Sequence, residues 1–247
     1  MAPRSAYQGE LTKLNKEVAM MGSLAQDMVS KGIKAFLNGD EVLIDEVVAL
    51  DSEIYCQEQV IERHCFEIIA LHQPVASDLR TVSSCLKVVT DLNRIGRYGC
   101  NIAQLGRGSG HPMDRHDSLS MMGEKALSMV RDAVDSFVKM DKVKAMALLD
   151  MDVEIDDMWE SMFQLSLGCM IEQPQDISAL ANGILMARYL ERIADHACNI
   201  AERTAFMVSG VRLHRSARKK MPRLNIETST QRETSADGYY NARLDEK

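Results

Sequence analysis

The second half of the chain repeats the first. DLNRIGRYGCNIAQ at 91–104 aligns without a gap on YLERIADHACNIAE at 189–202. QPVASDL at 73–79 pairs with QPQDISAL at 173–180, and LDSEI at 50–54 parallels MDVEI at 151–155. The period is about 100 residues, too long for a solenoid unit and suited to a small bundle repeated once. Breaks are sparse: NGD at 38–40, HQP at 72–74, GRGSGHP at 106–112, KMDK at 139–142 and EQPQD at 172–176. Apolar residues between them recur at helical spacing. This pattern predicts an all-α fold with helices over 8–37, 41–71, 74–105, 116–139, 142–171 and 175–209. Pro74 and Pro174 are read as helix starters, because the proline's missing N–H would be unpaired in a first turn anyway. Two tandem three-helix bundles, 8–105 and 116–210, joined by a linker at 106–115, follow from the duplication.

Composition supports this reading where it bears on the core. Aromatics are 5% of residues while methionine numbers 17, so the interior is built from aliphatic and thioether side chains that suit helix packing. The six cysteines form no CxxC pair and read as reduced core residues of a cytosolic protein, not as a thiolate metal site. The N-terminus lacks the apolar stretch of a signal peptide. No apolar run reaches the roughly 18 residues of a membrane span, so membrane association is expected through partners only. A formal charge of −7 argues against nucleic acid as a partner. Beyond 210 the chain turns basic (RLHRSARKKMPR, 212–223) and then polar to 247. This tail is read as disordered, with contact to a membrane surface or an acidic partner as the sharper alternative.

Carboxylates interrupt two apolar seams. In the fifth helix the seam runs Ala145, Leu148, Asp152, Ile155, Trp159, Met162, with Asp156 four beyond Asp152. In the sixth it runs Leu180, Ile184, Ala187, Glu191, Ala194, Cys198, with Asp195 four beyond Glu191. Residues four apart stack on one helix face, so each helix offers an acid pair toward the interior. Buried like charges are costly, and two remedies exist. Arg188 or Arg192 could pair with the acids, Arg192 being turned about 100° from Glu191 and so more easily outward. Alternatively the four acids hold a hard or transition cation, with Asn199 as a further oxygen donor. His196, turned from Asp195 by the same angle, is expected outside the ligand set, at the exterior or behind it.

YLERIADHACNIAE resembles the signature helix of the PhoU family, which regulates phosphate uptake. The resemblance spans about residues 8–209 and includes the duplication. It implies multinuclear iron or zinc clusters held by E/DxxxD carboxylates at the protein surface, which here are Asp152, Asp156, Glu191 and Asp195. All-oxygen ligands leave manganese and magnesium open as well. The first half departs from the pattern. Asp51 remains, but Tyr55, Asn93, Arg97 and Tyr98 stand where Asp156, Glu191, Asp195 and His196 stand in the second, while Asn101 is retained. Asp51 and Asn93 are thus degenerate counterparts, one metal site per chain is expected, and Arg97 is expected to pair with Asp51 or Asp91.

No catalytic constellation appears. GRGSG at 106–110 follows a helix and not a strand, which excludes a P-loop. There is no nucleophile elbow, and the Glu-x-x-His spacing of ferritin-like oxidases is absent from the acid pairs. The resemblance implies a cytoplasmic, non-enzymatic regulator, homodimeric, that binds the ATPase of a phosphate ABC transporter or a sensor histidine kinase and damps uptake. A helical adaptor acting on another transporter or kinase is the alternative.

Overall fold

The computed structural model describes residues 4–107 and 116–212. Most of the expected linker and the expected tail beyond 212 lie outside the described residues. Six α-helices fill what is described: α1 (Arg4–Asn38), α2 (Glu41–His72), α3 (Ala76–Leu105), α4 (His116–Lys139), α5 (Lys142–Glu172) and α6 (Ile177–Ser209). Helices α1–α3 pack on one another, as do α4–α6. The halves join where α3 lies against α6 and α1 against α4.

The repeat extends to the punctuation. Asp40 caps α2 by accepting from Leu43 N at 3.1 Å, and Asp141 caps α5 by accepting from Lys144 N at 3.0 Å. Each cap satisfies a backbone N–H that the first turn leaves unpaired. The residue before each cap takes a left-handed conformation: Gly39 at φ 62° and Met140 at φ 55°.

Of the two prolines, Pro174 starts a helical segment as expected and Pro74 does not. Pro74 does not open α3. Gln73 ends α2 in the left-handed region with its N–H on Ile69 O, Val75 stays extended, and the helix starts at Ala76. Pro174 opens a short 3₁₀ turn, Pro174–Asp176, that runs into α6 at Ile177. The correction at Pro74 has a plain cause. The chain must reverse between antiparallel helices, and that reversal uses the residues flanking the proline.

The core is a continuous cluster of buried Leu, Ile, Val, Met and Ala from all six helices. In the first half α1 and α3 approach through backbone: a Cβ added at Gly99 would lie 2.7 Å from Val29 N. Helix α6 is buried on two sides, by its own bundle and by α3, so few of its central positions reach solvent.

Candidate functional site

The seam phases hold for burial. Asp152 and Glu191 are 5% and 2% exposed, inside the α5–α6 interface. Their i+4 partners Asp156 and Asp195 are half-buried, nearer the surface. Thus the first acid of each pair lies deeper than the surface location the family resemblance implied. Asp152 Oδ1 lies 3.5 Å from the Cys198 thiol, which donates to it.

Of the two remedies for buried acids, the arginine is in place. Arg188 Nη1 donates to Glu191 Oε2 at 2.7 Å. Its guanidinium also lies over the Trp159 ring, 5.7 Å from the centroid. Trp159 therefore positions Arg188 as well as filling the interface. Arg192 is more exposed and stands 4.0 Å from both Glu191 and Asp195. At that distance it contributes field rather than a directed bond.

The donor chemistry of the four acids suits a hard cation. Their placement is a different matter: among the described residues no three carboxylate, imidazole or thiol groups are gathered as a ligand set. Asn199 does not join the acids. Its Nδ2 donates to Asp91 Oδ1 at 3.3 Å, toward the other half.

His196 is not exterior. It is 8% exposed and its Nδ1 lies 2.7 Å from Asp91 Oδ1, across the α3–α6 seam. Tyr98 stacks on the imidazole with centroids 5.8 Å apart, and Tyr98 also meets Tyr189. Single-helix phasing missed this because it counts one buried face, whereas α6 has two.

The first half replaces acids as its sequence indicates. Arg97 Nε lies 3.6 Å from Asp51 Oδ1, an exposed pair at the repeat positions of Asp195 and Asp152. Asn93, at the position of Glu191, donates to Glu58 Oε2 at 2.5 Å. Glu58 is buried and was not singled out from sequence. Its repeat position holds Trp159, so the tryptophan–arginine–glutamate arrangement of one half is answered by a glutamate–asparagine bond in the other. The signal that could have found it is the single apolar-to-acid exchange between the aligned α2 and α5 seams.

A family model described as "PhoU domain" matches residues 18–106 and again 119–204, one match per bundle. The chain belongs to the PhoU family. A phosphate-specific transport system accessory protein PhoU homolog of Rhizobium meliloti is 34% identical over 209 residues, covering 83% of this chain and 88% of that protein. The crystal structure of PhoU from Pseudomonas aeruginosa superposes with a TM-score of 0.80 at 31% identity, covering 83% of this chain and all of that one. The phosphate transport system regulatory protein PhoU from Streptococcus pneumoniae gives 0.78 at 26% identity, covering 84% and 99%. The PhoU fold of two three-helix bundles is therefore shared over most of both chains. Among the described residues, no helix is long and apolar enough to cross a membrane.

Proposed function

We propose that this chain is a cytoplasmic, non-enzymatic regulator of phosphate uptake that damps a phosphate ABC transporter by binding its ATPase, a sensor histidine kinase, or both. The observation that carries this reading is the double PhoU-domain match together with relatives, similar over nearly their whole length, named as accessory proteins of phosphate-specific transport. Partner surface supports it. Tyr55, Val60, Phe66 and Leu71 on α2, and Val143, Leu165 and Ile171 on α5, are large apolar side chains left exposed. Such faces suit a protein partner or the second copy of a homodimer.

A metal held by Asp152, Asp156, Glu191 and Asp195 is the second part of the proposal. Its support is four oxygen donors contributed by two neighbouring helices. Arg188 bonds Glu191 through Oε2, so a cation held by Glu191 shares the same carboxylate charge with the arginine. Elemental mass spectrometry on untagged protein tests this part. Iron, zinc or manganese lost in both Asp152→Ala and Glu191→Ala supports it, and metal-free protein that added metal does not reconstitute removes it.

The regulatory part is tested in a strain lacking the gene. Phosphate uptake and storage rise in phosphate-rich medium if the protein damps the transporter. Unchanged uptake and storage contradict it and leave an adaptor for a different membrane protein.

A further inference from the structure

A polar groove of about 250 Å³ lies along the α3–α6 seam. Lys87 and Arg94 enter it from α3, and Arg203 from α6. Among the described residues, none of these three cations has an ion pair or side-chain hydrogen bond. Two carboxylates share the groove, Asp91 and Glu202. Asp91 already accepts from His196 and Asn199. The groove is therefore lined by three cations against the two carboxylates of Asp91 and Glu202.

The related positions of the other half carry a different set of charges. The repeat positions of Lys87 and Arg203 are Leu185 and Leu105, and that of Glu202 is Gln104. Only Arg94 has a cationic counterpart, Arg192. Thr90 answers Arg188, so the related side carries the two arginines Arg188 and Arg192, and Arg188 is already bonded to Glu191, whereas the groove gathers three cations that have no such bond.

We propose that this groove binds a phosphoryl oxyanion, either inorganic phosphate or the phosphate of a nucleotide. Two guanidinium forks and an ammonium group match the several acceptor oxygens of a tetrahedral phosphate. The carboxylates lining the groove, Glu202 among them, give the site a selective element. Hydrogenphosphate keeps a proton near neutral pH and can donate it to a carboxylate, whereas sulfate has none to donate and is repelled. Because the cations come from both halves, the anion ties one bundle to the other across the Asp91–His196 contact. The groove involves neither the acid pairs nor the exposed apolar faces. Binding is read on the isolated protein, so its failure is distinct from failure of the transporter reading.

Isothermal titration calorimetry of the full chain tests the site, with inorganic phosphate, sulfate and ATP as separate titrants. The expected result is phosphate binding stronger than sulfate binding, weakened about tenfold or more by Arg94→Ala and by Arg203→Ala, each a lost charge-assisted contact. Arg203→Lys should recover part of the loss, and Arg131→Ala on α4 should change nothing. Glu202→Gln should narrow the gap between phosphate and sulfate. Circular dichroism confirms that the variants keep their helix content. Binding of ATP through the same arginines, tighter than that of phosphate, assigns the anion to a nucleotide; phosphate binding with no added affinity for ATP assigns it to the free ion. No binding of either, or binding unchanged in both arginine-to-alanine variants, overturns the proposal.

Discussion

His196 Nδ1 lies 2.7 Å from Asp91 Oδ1, and the duplication carries this pair onto Tyr98 and Tyr189, whose ring centroids are 5.6 Å apart. One side of the seam is therefore closed by a hydrogen bond and the other by an aromatic contact. Removing Asp91 leaves the buried imidazole without its acceptor. Asp91→Ala should cost about 2 kcal/mol in chemical denaturation, as expected for a hydrogen bond involving a charged group. Tyr98→Phe keeps both ring contacts and should cost well under half as much.

Arg188 is held from two directions, by Glu191 and by the face of Trp159. Arg188→Ala should destabilise by roughly 1–3 kcal/mol, below the range for a fully buried pair because the arginine is partly exposed. Adding Glu191→Gln should return much of that loss by removing the buried charge. A cation that uses these acids should raise the melting temperature of Arg188→Ala more than that of the parent. Equal shifts in both proteins would separate the metal from Glu191.

Met140 occupies the left-handed position that glycine fills at the equivalent turn of the first half. A side chain there crowds its own backbone, and glycine does not. Met140→Gly should stabilise by roughly 0.5–1 kcal/mol, because the exposed methionine has little packing to lose. Gly39→Ala should change stability in the opposite direction. Thermal and chemical denaturation of the two variants measure both.

Acid stability should depend on two carboxylates held below their ordinary range. Hydrogen bonds from Lys139 and then Lys144 hold Asp135 down, and the hydrogen bond from His64 does the same for Glu10. Each pKa is lower in the folded than in the unfolded chain. Their contribution is therefore present above the unfolded value and lost as pH falls through the lowered folded one. Lys139→Gln and His64→Gln should each flatten the acid limb of the stability curve. At the alkaline end, burial and then the charge of Asp78 push the Tyr7 phenol from 10.0 up to about 12. Its contribution is present below pH 10.0 and fades as pH rises through about 12, so Tyr7→Phe should flatten that limb.

Helix number, the duplication and the burial of Asp152 and Glu191 were legible because each rests on periodicity within one helix. The Arg97–Asp51 pair was legible because an acid-to-arginine exchange between repeats names its own partner. The Asp91–His196 contact was not, since it depends on how two bundles dock, and the same docking buries the face of α6 that single-helix phasing placed outside. Glu58 escaped for a related reason: its bond to Asn93 joins two helices at positions where the second half carries different chemistry. The turn at Pro74 was misjudged because proline fits several positions near a helix start, and the chain reversal decides which one is used, whereas Pro174 does open a helical turn.

A regulator of phosphate uptake must meet its partner inside the cell. The most direct measurement is quantitative mass spectrometry of proteins cross-linked to this chain in its own cells and captured with it, in phosphate-rich medium. Enrichment of a phosphate transporter ATPase or a phosphate-responsive sensor kinase is expected, reduced by substitutions on the exposed faces of α2 or α5, such as Phe66→Glu or Leu165→Glu. Enrichment of an unrelated membrane transporter, with neither of those partners present, would contradict the proposed role.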